Sequence, residues 1–305
     1  MALTLAEAAK LSNDVLLKGV IETIVKESPI LQKLPFVEIT GNALTYNREN
    51  AMASAAFYDV GDTWAESTPT FTQVTASLKI LGGDADVDNY VRATRQNVQD
   101  IEASVIELKA KAVRHKFEDN FVYGDTAVDS KSWDGIRKLV DPSQAGSHVV
   151  TMGGAGATLT LAKLDELVDV IKPGKPDLLL MSRRSRRKIT SLMRALSSME
   201  VRQNEFGEFV ELYNGIPLAV NDWILDTHTL VAGYETATTG GASSAIYALK
   251  FGEGNLVGIQ GPGGLTVERL GSLETKDATR TRIKWYCSLA LFNALSVGAL
   301  IGVQD

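Results

Sequence analysis

Residues that reactive or cross-linked proteins depend on are scarce in this chain. Its 305 residues include one cysteine, Cys287, so no intramolecular disulfide framework and no all-cysteine metal cage can form, which fits a reducing compartment. The three histidines, His115, His148 and His228, lie far apart and lack the His-Glu-x-x-His or cysteine spacing of a zinc site. Positive charge is in deficit: 31 Lys and Arg stand against 37 Asp and Glu, giving a net charge of −6. That excludes a chain that grips nucleic acid over its whole surface. No Asn-x-Ser/Thr glycosylation sequon occurs.

The motifs of small-molecule chemistry are incomplete. GGAGA at 153–157 supplies Gly154 and Gly156, but Leu159 stands where a dinucleotide fingerprint needs Gly or Ala. FGEGNLVG fails the same spacing, and no phosphate-loop run ending in Gly-Lys-Ser/Thr exists. DADVDN at 84–89 resembles the start of a calcium loop, yet Asn89 replaces the turn glycine and Arg95 falls where the bidentate Glu belongs. Alternation predicts instead that Asp84, Asp86 and Asp88 share the solvated face of a strand. Cys287 sits among Trp285, Tyr286, Leu289 and Leu291, the setting of an inert buried thiol. No Gly-x-Ser-x-Gly elbow is present. No cofactor, metal or catalytic residue is expected, and the chain reads as a protein that is not an enzyme.

Long apolar runs are also few. Near the N-terminus Leu5, Ala8, Leu11, Val15, Leu16, Val20, Ile21 and Ile24 are interrupted by Glu7, Lys10, Asp14, Lys18 and Glu22, an amphipathic helix and not a secretory signal. The stretch 285–303 carries no charge and is about as long as a membrane span of roughly 20 residues. Two readings remain for it, a tail anchor or buried strands. The polar Ser288, Asn293 and Ser296, Gly298 and Gly302, and the alternation Arg280, Arg282, Lys284 leading in favour strands. No membrane partner is expected.

What the chain does have is core material: 45% hydrophobic residues and 22% charged ones can bury one or two substantial cores. Residues 43–46 and 71–81 are β-type runs flanking the small, polar segment SAAFYDVGDTWAESTP. They predict a two-stranded arm with little core of its own, which is marginal in water and should lie on another surface. Near its tip, Phe57, Tyr58, Trp64 and Glu66 are candidate intersubunit contacts. Trp64 is either an anchor in a partner or folds back on its own subunit.

Beyond the arm, residues 97–122 repeat Val98, Ile101, Val105, Leu108, Ala112 and Phe117 at threes and fours, predicting a long helix that Gly124 caps. The loop GDTAVDSKSWDGIRKLV then leads to an apolar strand, and the Gly- and Ser-rich 142–160 marks a boundary. Thr160 opens a helix over 161–171. KPGKP is a turn, LLLM a short buried strand, and Ser182 caps a basic helix running to about Leu196. A β-rich series follows, with turns at Asn214-Gly215, Gly240-Gly241, 252–254 and 261–264. In the basic helix Arg183, Arg184, Arg186, Arg187 and Lys188 wrap most of the circumference, so they cannot all meet a single acidic partner on their own subunit. They contact DNA, contact a neighbouring subunit, or form a solvated face.

The order of these pieces resembles the major capsid proteins of tailed bacteriophages, the Hong Kong 97-type fold. The residues that carry the resemblance are Trp64-Ala65-Glu66 and Phe71, FEDNFVYGD, SWDGIRKL, LTLAKLDELVDVI followed by KPDLLLMSRRSRRKI, YNGIPLAVND, and IKWYCSLALFNALSVGALIGV. The resemblance implies an α+β chain. Its parts would be an N-terminal arm (1–37), an E-loop hairpin with flanking strands (38–90), a P-domain spine helix (91–146), an A-domain (147–265) and closing P-domain strands (266–305).

By the same resemblance the chain self-assembles into hexamers and pentamers of an icosahedral head enclosing double-stranded DNA. The alternative is an encapsulin-type nanocompartment of the same fold. Implied partners are further copies of itself, a separate scaffolding protein, a portal, a decoration protein and packaged double-stranded DNA contacted non-specifically. The implied place is the virion head, assembled in the host cytoplasm. The N-terminal arm begins within a few residues of Met1, so scaffolding is expected from another protein or the chain is a processed product. Some members weld subunits through Lys–Asn isopeptide bonds with a glutamate as base. The matching strand here, 287–293, holds no carboxylate, so no weld is expected.

Overall fold

The computed structural model describes residues 28–51, 55–64, 66, 68, 70–95, 101–140, 148–196, 200–203, 209–231 and 234–304. The amphipathic N-terminal helix expected from the sequence lies outside them, as does Val98. The strands are β1 (Phe36–Glu38), β2 (Ala43–Ala51), β3 (Thr70–Ser77), β4 (Lys79–Asp88), β5 (Val149–Thr151), β6 (Ala157–Thr158), β7 (Leu178–Met181), β8 (Glu200–Gln203), β9 (Phe209–Tyr213), β10 (Ile216–Val220), β11 (His228–Val231), β12 (Tyr234–Thr239), β13 (Ser244–Leu249), β14 (Leu256–Ser272), β15 (Ala278–Leu291) and β16 (Val297–Gln304). The helices are α1 (Asn89–Arg95), α2 (Ile101–Tyr123), α3 (Ile136–Leu139), α4 (Leu161–Val170) and α5 (Arg183–Ala195).

Four strands form one sheet in the order β1-β14-β15-β4, and eight form another, β5-β16-β13-β7-β10-β9-β8 with β6 beside β16. The strand β7 explains how the layers meet. Its alternating side chains divide between two cores: Leu178 and Leu180 join the core shared with α2 and the four-stranded sheet, while Leu179 and Met181 face Leu164, Leu167, Ile189 and Met193 of α4 and α5. The large sheet is therefore buried on both faces at β7, which is why LLLM is uninterrupted. Both helices on its outer face start as the sequence predicts. Thr160 Oγ1 accepts the Lys163 amide, and Ser182 Oγ accepts the Ser185 amide.

The long helix corrects the expected face in part. Phe117 of the expected stripe is buried and Val105 packs against the core, but Leu108 and Ala112 are exposed, and Ile106, Ala110, Val113 and Phe121 complete the buried face. The face is set around the two phenylalanines because aromatic rings bury the most surface. Phe117 lies 5.0 Å from Trp285, 5.5 Å from Trp133 and 6.2 Å from both Phe36 and Phe121, centroid to centroid. Leu108 is left 66% exposed.

Four further expectations change. Gly124 is not a left-handed cap: a Cβ there would meet the Trp133 carbonyl at 2.2 Å, so close backbone approach requires glycine. The loop after it closes in the one-turn helix α3. Residues 261–264 do not end a strand; β14 continues through them with a register shift between Gln260 and Leu265, a bulge with Gly263 and Gly264 at φ 81° and 55°. The expected group of closing strands is divided as well. β15 lies in the four-stranded sheet, and β16 pairs with β13, β5 and β6 in the eight-stranded one.

Candidate functional site

The arm is the candidate site, and its two halves are held differently. β2 and β3 pair antiparallel from Ala43 opposite Ser77 to Ala51 opposite Thr70, a ladder rich in Thr, Tyr and Val that suits a half-buried pleat. At the base, Leu44, Tyr46, Ala76, Leu78 and Phe292 pack on Ile39, Val257, Ile259 and Ala290. The Tyr46 ring lies 4.5 Å from Phe292, the Tyr46 hydroxyl accepts the Leu291 amide at 3.2 Å, and Arg48 Nη2 donates to the Leu291 carbonyl at 2.5 Å. The base therefore rests on its own subunit, a core that the hairpin sequence by itself did not disclose. It rests on residues about two hundred and forty-five positions away in sequence.

The tip has no such support among the described residues. Phe57 and Val60 are fully exposed and Trp64 is 77% exposed. The Tyr58 and Trp64 rings stack on each other at 4.3 Å with an interplanar angle of 23°, and the Asp59 amide donates to Asp62 Oδ2 at 2.7 Å, tightening the turn. Trp64 thus stacks within the tip and stays largely exposed among the described residues. Glu66 is exposed beside it. Soluble monomers rarely carry large exposed apolar clusters except at interaction sites.

The basic helix α5 spends much of its charge on its own subunit, through several partners. Arg183 makes a two-pronged contact with Asp222 at 2.6 and 2.9 Å, Arg184 meets Asp226 at 3.5 Å and the carbonyls of Ala242 and Val303, and Arg186 meets Glu211 at 3.2 Å. Glu211 also accepts from Thr190 Oγ1, and Ser182 Oγ donates to Asp226 at 2.5 Å. Each cation meets a different carboxylate, which is how a ring of arginines around one helix is accommodated. Arg187 is exposed and Lys188 half-buried on the same helix. On β9, burial and then the hydrogen bond to Asp165 of α4 push the Tyr213 hydroxyl up.

One functional feature escaped the sequence. Asp84 and Asp86 of β4 stand directly opposite Arg282 and Arg280 of β15, in two-pronged pairs at 2.7 and 2.9 Å and at 2.6 and 2.7 Å. Lys284 and Glu268 continue the row. The solvated face predicted for the aspartates is correct, as is the β alternation of the cations; their register across 198 residues of chain is not visible in either segment alone. Hydrogen bonds from the guanidinium groups hold both carboxylates below their ordinary value.

Cys287 is fully buried and burial pushes its thiol up, which removes the thiolate that chemistry would need. Lys79 Nζ donates to the Ser130 carbonyl at 2.7 Å. Among the described residues no group of three His, Cys, Asp or Glu side chains is placed to hold a metal ion, and no helix is long and apolar enough to cross a membrane. The apolar stretch 285–303 is occupied by parts of β15 and β16.

Comparison with known proteins gives a consistent picture. Residues 11–196 match a family model described as the phage capsid family. Among solved structures, the holo encapsulin complex of Synechococcus elongatus is 16% identical with a TM-score of 0.66, covering 91% of this chain and 88% of that one. The capsid of a native GTA particle is 13% identical with a TM-score of 0.63, covering 92% and 90%. Mycobacterium phage Bobi is 15% identical with a TM-score of 0.60, covering 91% and 90%. A sequence comparison with curated proteins finds no match.

Proposed function

Because this chain belongs to the phage capsid family, and is a capsid shell protein of the Hong Kong 97-type fold, we propose that it assembles into hexamers and pentamers of an icosahedral head around double-stranded DNA. It acts as structural material and not as a catalyst. The observation that carries this reading is the arm: a hairpin anchored at its base by Tyr46 and Arg48 that leaves Phe57, Trp64 and Glu66 exposed, with Tyr58 stacked on Trp64. Side chains presented in that way gain burial only from a neighbour. Repeating one such contact around a closed ring multiplies modest interfaces into a stable shell.

In this reading residues 38–90 are the reaching element, α2 is the spine, and the sheet around β7 with its two helices is the A-domain. A separate scaffolding protein, a portal and a decoration protein are the expected partners, and assembly takes place in the host cytoplasm. The net charge of −6 means that DNA is confined more than gripped. On α5 the exposed Arg187 and half-buried Lys188 are the positions proposed for a DNA or neighbour contact.

Deleting residues 57–69 tests the reading: a folded, soluble subunit that no longer builds shells is expected, and normal particles overturn it. A second reading, a protein-storing nanocompartment, draws on the likeness to the Synechococcus encapsulin. Particles holding nuclease-protected DNA favour the head; particles holding a co-purified protein cargo favour the compartment.

A further inference from the structure

We propose that Glu118 of α2 is a pH-dependent latch on the strap formed by residues 28–38, closed while its carboxyl is neutral and released as it ionises. The latch is a property of the subunit and goes beyond the shell-forming reading without depending on it. The strap packs on the spine helix. Ile30, Leu31 and Leu34 are buried in the same core as Ile106, Ala110, Val113 and Phe117 of α2, and the Phe36 ring lies 5.2 Å from Trp285. Its two ends are held by different means. At one end β1 pairs with β14, Phe36 opposite Gly258, and the Phe36 ring fills the space where a Cβ on Gly258 would come within 2.5 Å of it. At the other end the fully buried Ser28 accepts the Leu31 amide at 3.3 Å through Oγ and the Gln32 amide at 3.2 Å through its carbonyl, and its hydroxyl donates to Glu118.

Three elements meet at Glu118, which is only 8% exposed. Around it stand Ser28 of the strap, Arg114 and His115 one turn back on α2, and Asp222 of the segment after β10. That segment rests on the helix through Trp223, whose ring centre lies 5.7 Å from that of His115. Arg114 Nη2 donates to His115 Nε2 at 2.7 Å, and Asp222 carries the two-pronged contact with Arg183. A carboxylate taken out of water needs strong donors or a paired cation; a serine hydroxyl is a weak substitute, and Asp222 adds a second negative charge. A neutral carboxyl meets neither cost, since its carbonyl oxygen still accepts from Ser28. Burial therefore raises the Glu118 carboxyl above its ordinary value, against the smaller pull of Ser28, Arg114 and His115. Glu118 runs opposite to Asp84 and Asp86, which guanidinium hydrogen bonds hold down. A carboxyl whose folded value is raised contributes stability that is complete below its unfolded value, about 4.3 for Glu, and is lost as pH rises through the folded one. The loss falls on the Ser28 end, since β1 is held by backbone pairing and the Phe36 ring, which do not titrate.

Hydrogen exchange in the unassembled subunit, corrected for the intrinsic pH dependence of exchange, tests the latch. Protection of the Leu31, Gln32 and Leu34 amides, bonded to Ser28 Oγ, the Ser28 carbonyl and the Ile30 carbonyl, should fall by about fivefold or more as pH rises from about 4.5 to about 8. The Ile39 amide, bonded to the Gln260 carbonyl at 2.9 Å, should keep its protection. Glu118→Gln, which retains an acceptor for Ser28 and cannot ionise, should hold the strap's protection constant over the same range. His115 and Asp222 are present in both chains, so the difference between the two curves belongs to Glu118. Starting above about 4.5 leaves the lower-lying Asp84 and Asp86 ionised throughout. A parent whose strap protection does not fall with rising pH overturns the latch whether or not the variant folds, and a Glu118→Gln chain that loses protection in parallel with the parent overturns it as well. Shell formation enters neither curve, so the latch and the proposed function fail separately.

Discussion

Tyr58 and Trp64 lie ring against ring at 4.3 Å at the far end of an arm whose Phe57 and Val60 are fully exposed, and Trp64 itself remains 77% exposed. The stack pre-orders a flat aromatic surface before any partner arrives, which lowers the cost of fixing it on binding. Trp64→Ala should therefore weaken assembly by about 2 kcal/mol or more of association energy with little change in subunit melting. Unchanged assembly with a lower melting temperature would show that the ring serves its own subunit.

The aromatic knot around Phe117 carries the opposite expectation. Phe117 is fully buried against Trp285, Trp133, Phe36 and Phe121, so Phe117→Ala should cost about 3–5 kcal/mol of subunit stability. Chemical denaturation of the subunit before assembly measures it.

The rows of charge between β4 and β15 set an acid limit. Asp84 and Asp86 are held below their ordinary value of 3.8 by hydrogen bonds from Arg282 and Arg280. A carboxylate whose folded value is depressed contributes stability that is complete above its unfolded value and is lost as pH falls through the folded one. Subunit melting should thus drop as pH falls below about 4, and Asp84→Asn/Asp86→Asn should be less stable near neutrality but lose less on acidification. Parallel acid curves for parent and variant would contradict this.

Charge on α5 should separate by position. Arg186 pairs with Glu211, so Arg186→Gln should cost the subunit well under ~1 kcal/mol, as for a part-exposed ion pair, and leave genome retention alone. Arg187→Gln/Lys188→Gln should keep shells intact and reduce DNA retention most at low salt, where phosphate contacts are strongest. Failure of shells to form with the latter pair would make those residues an intersubunit contact.

Covalent welding between subunits is not expected. Amide formation between Lys and Asn expels ammonia and needs a base to deprotonate the amine, the strand 287–293 holds no carboxylate, and Lys79 is bonded to the Ser130 carbonyl. Mature particles boiled in denaturant should run as a single band near the 32.9 kDa monomer mass; a ladder of multimers would contradict this.

The parts of the fold legible in the sequence are those written locally. Thr160 and Ser182 mark helix starts by their own side chains, LLLM reports a strand buried on both faces, and the polar tip of the arm announced its exposure. What was not legible depends on partners far along the chain. Periodicity picked out Phe117 but also Leu108 and Ala112, and the packing of Phe117 on Trp285 and Trp133 turns those two outward. The aspartates of β4 gave no sign of Arg280 and Arg282, and the glycines at 261–264 read as a turn because a bulge and a turn use the same residue for the same backbone freedom. The arm's base was hidden for a similar reason: its core is completed by Val257, Ile259 and Ala290.

Electron microscopy of the purified protein under assembly conditions bears most directly on the shell-forming function, imaged beside the same chain lacking residues 57–69. Closed particles of uniform size from the parent and only small, folded species from the deletion are the expected result. Dispersed subunits from both, or closed particles from both, would contradict a shell built through the arm.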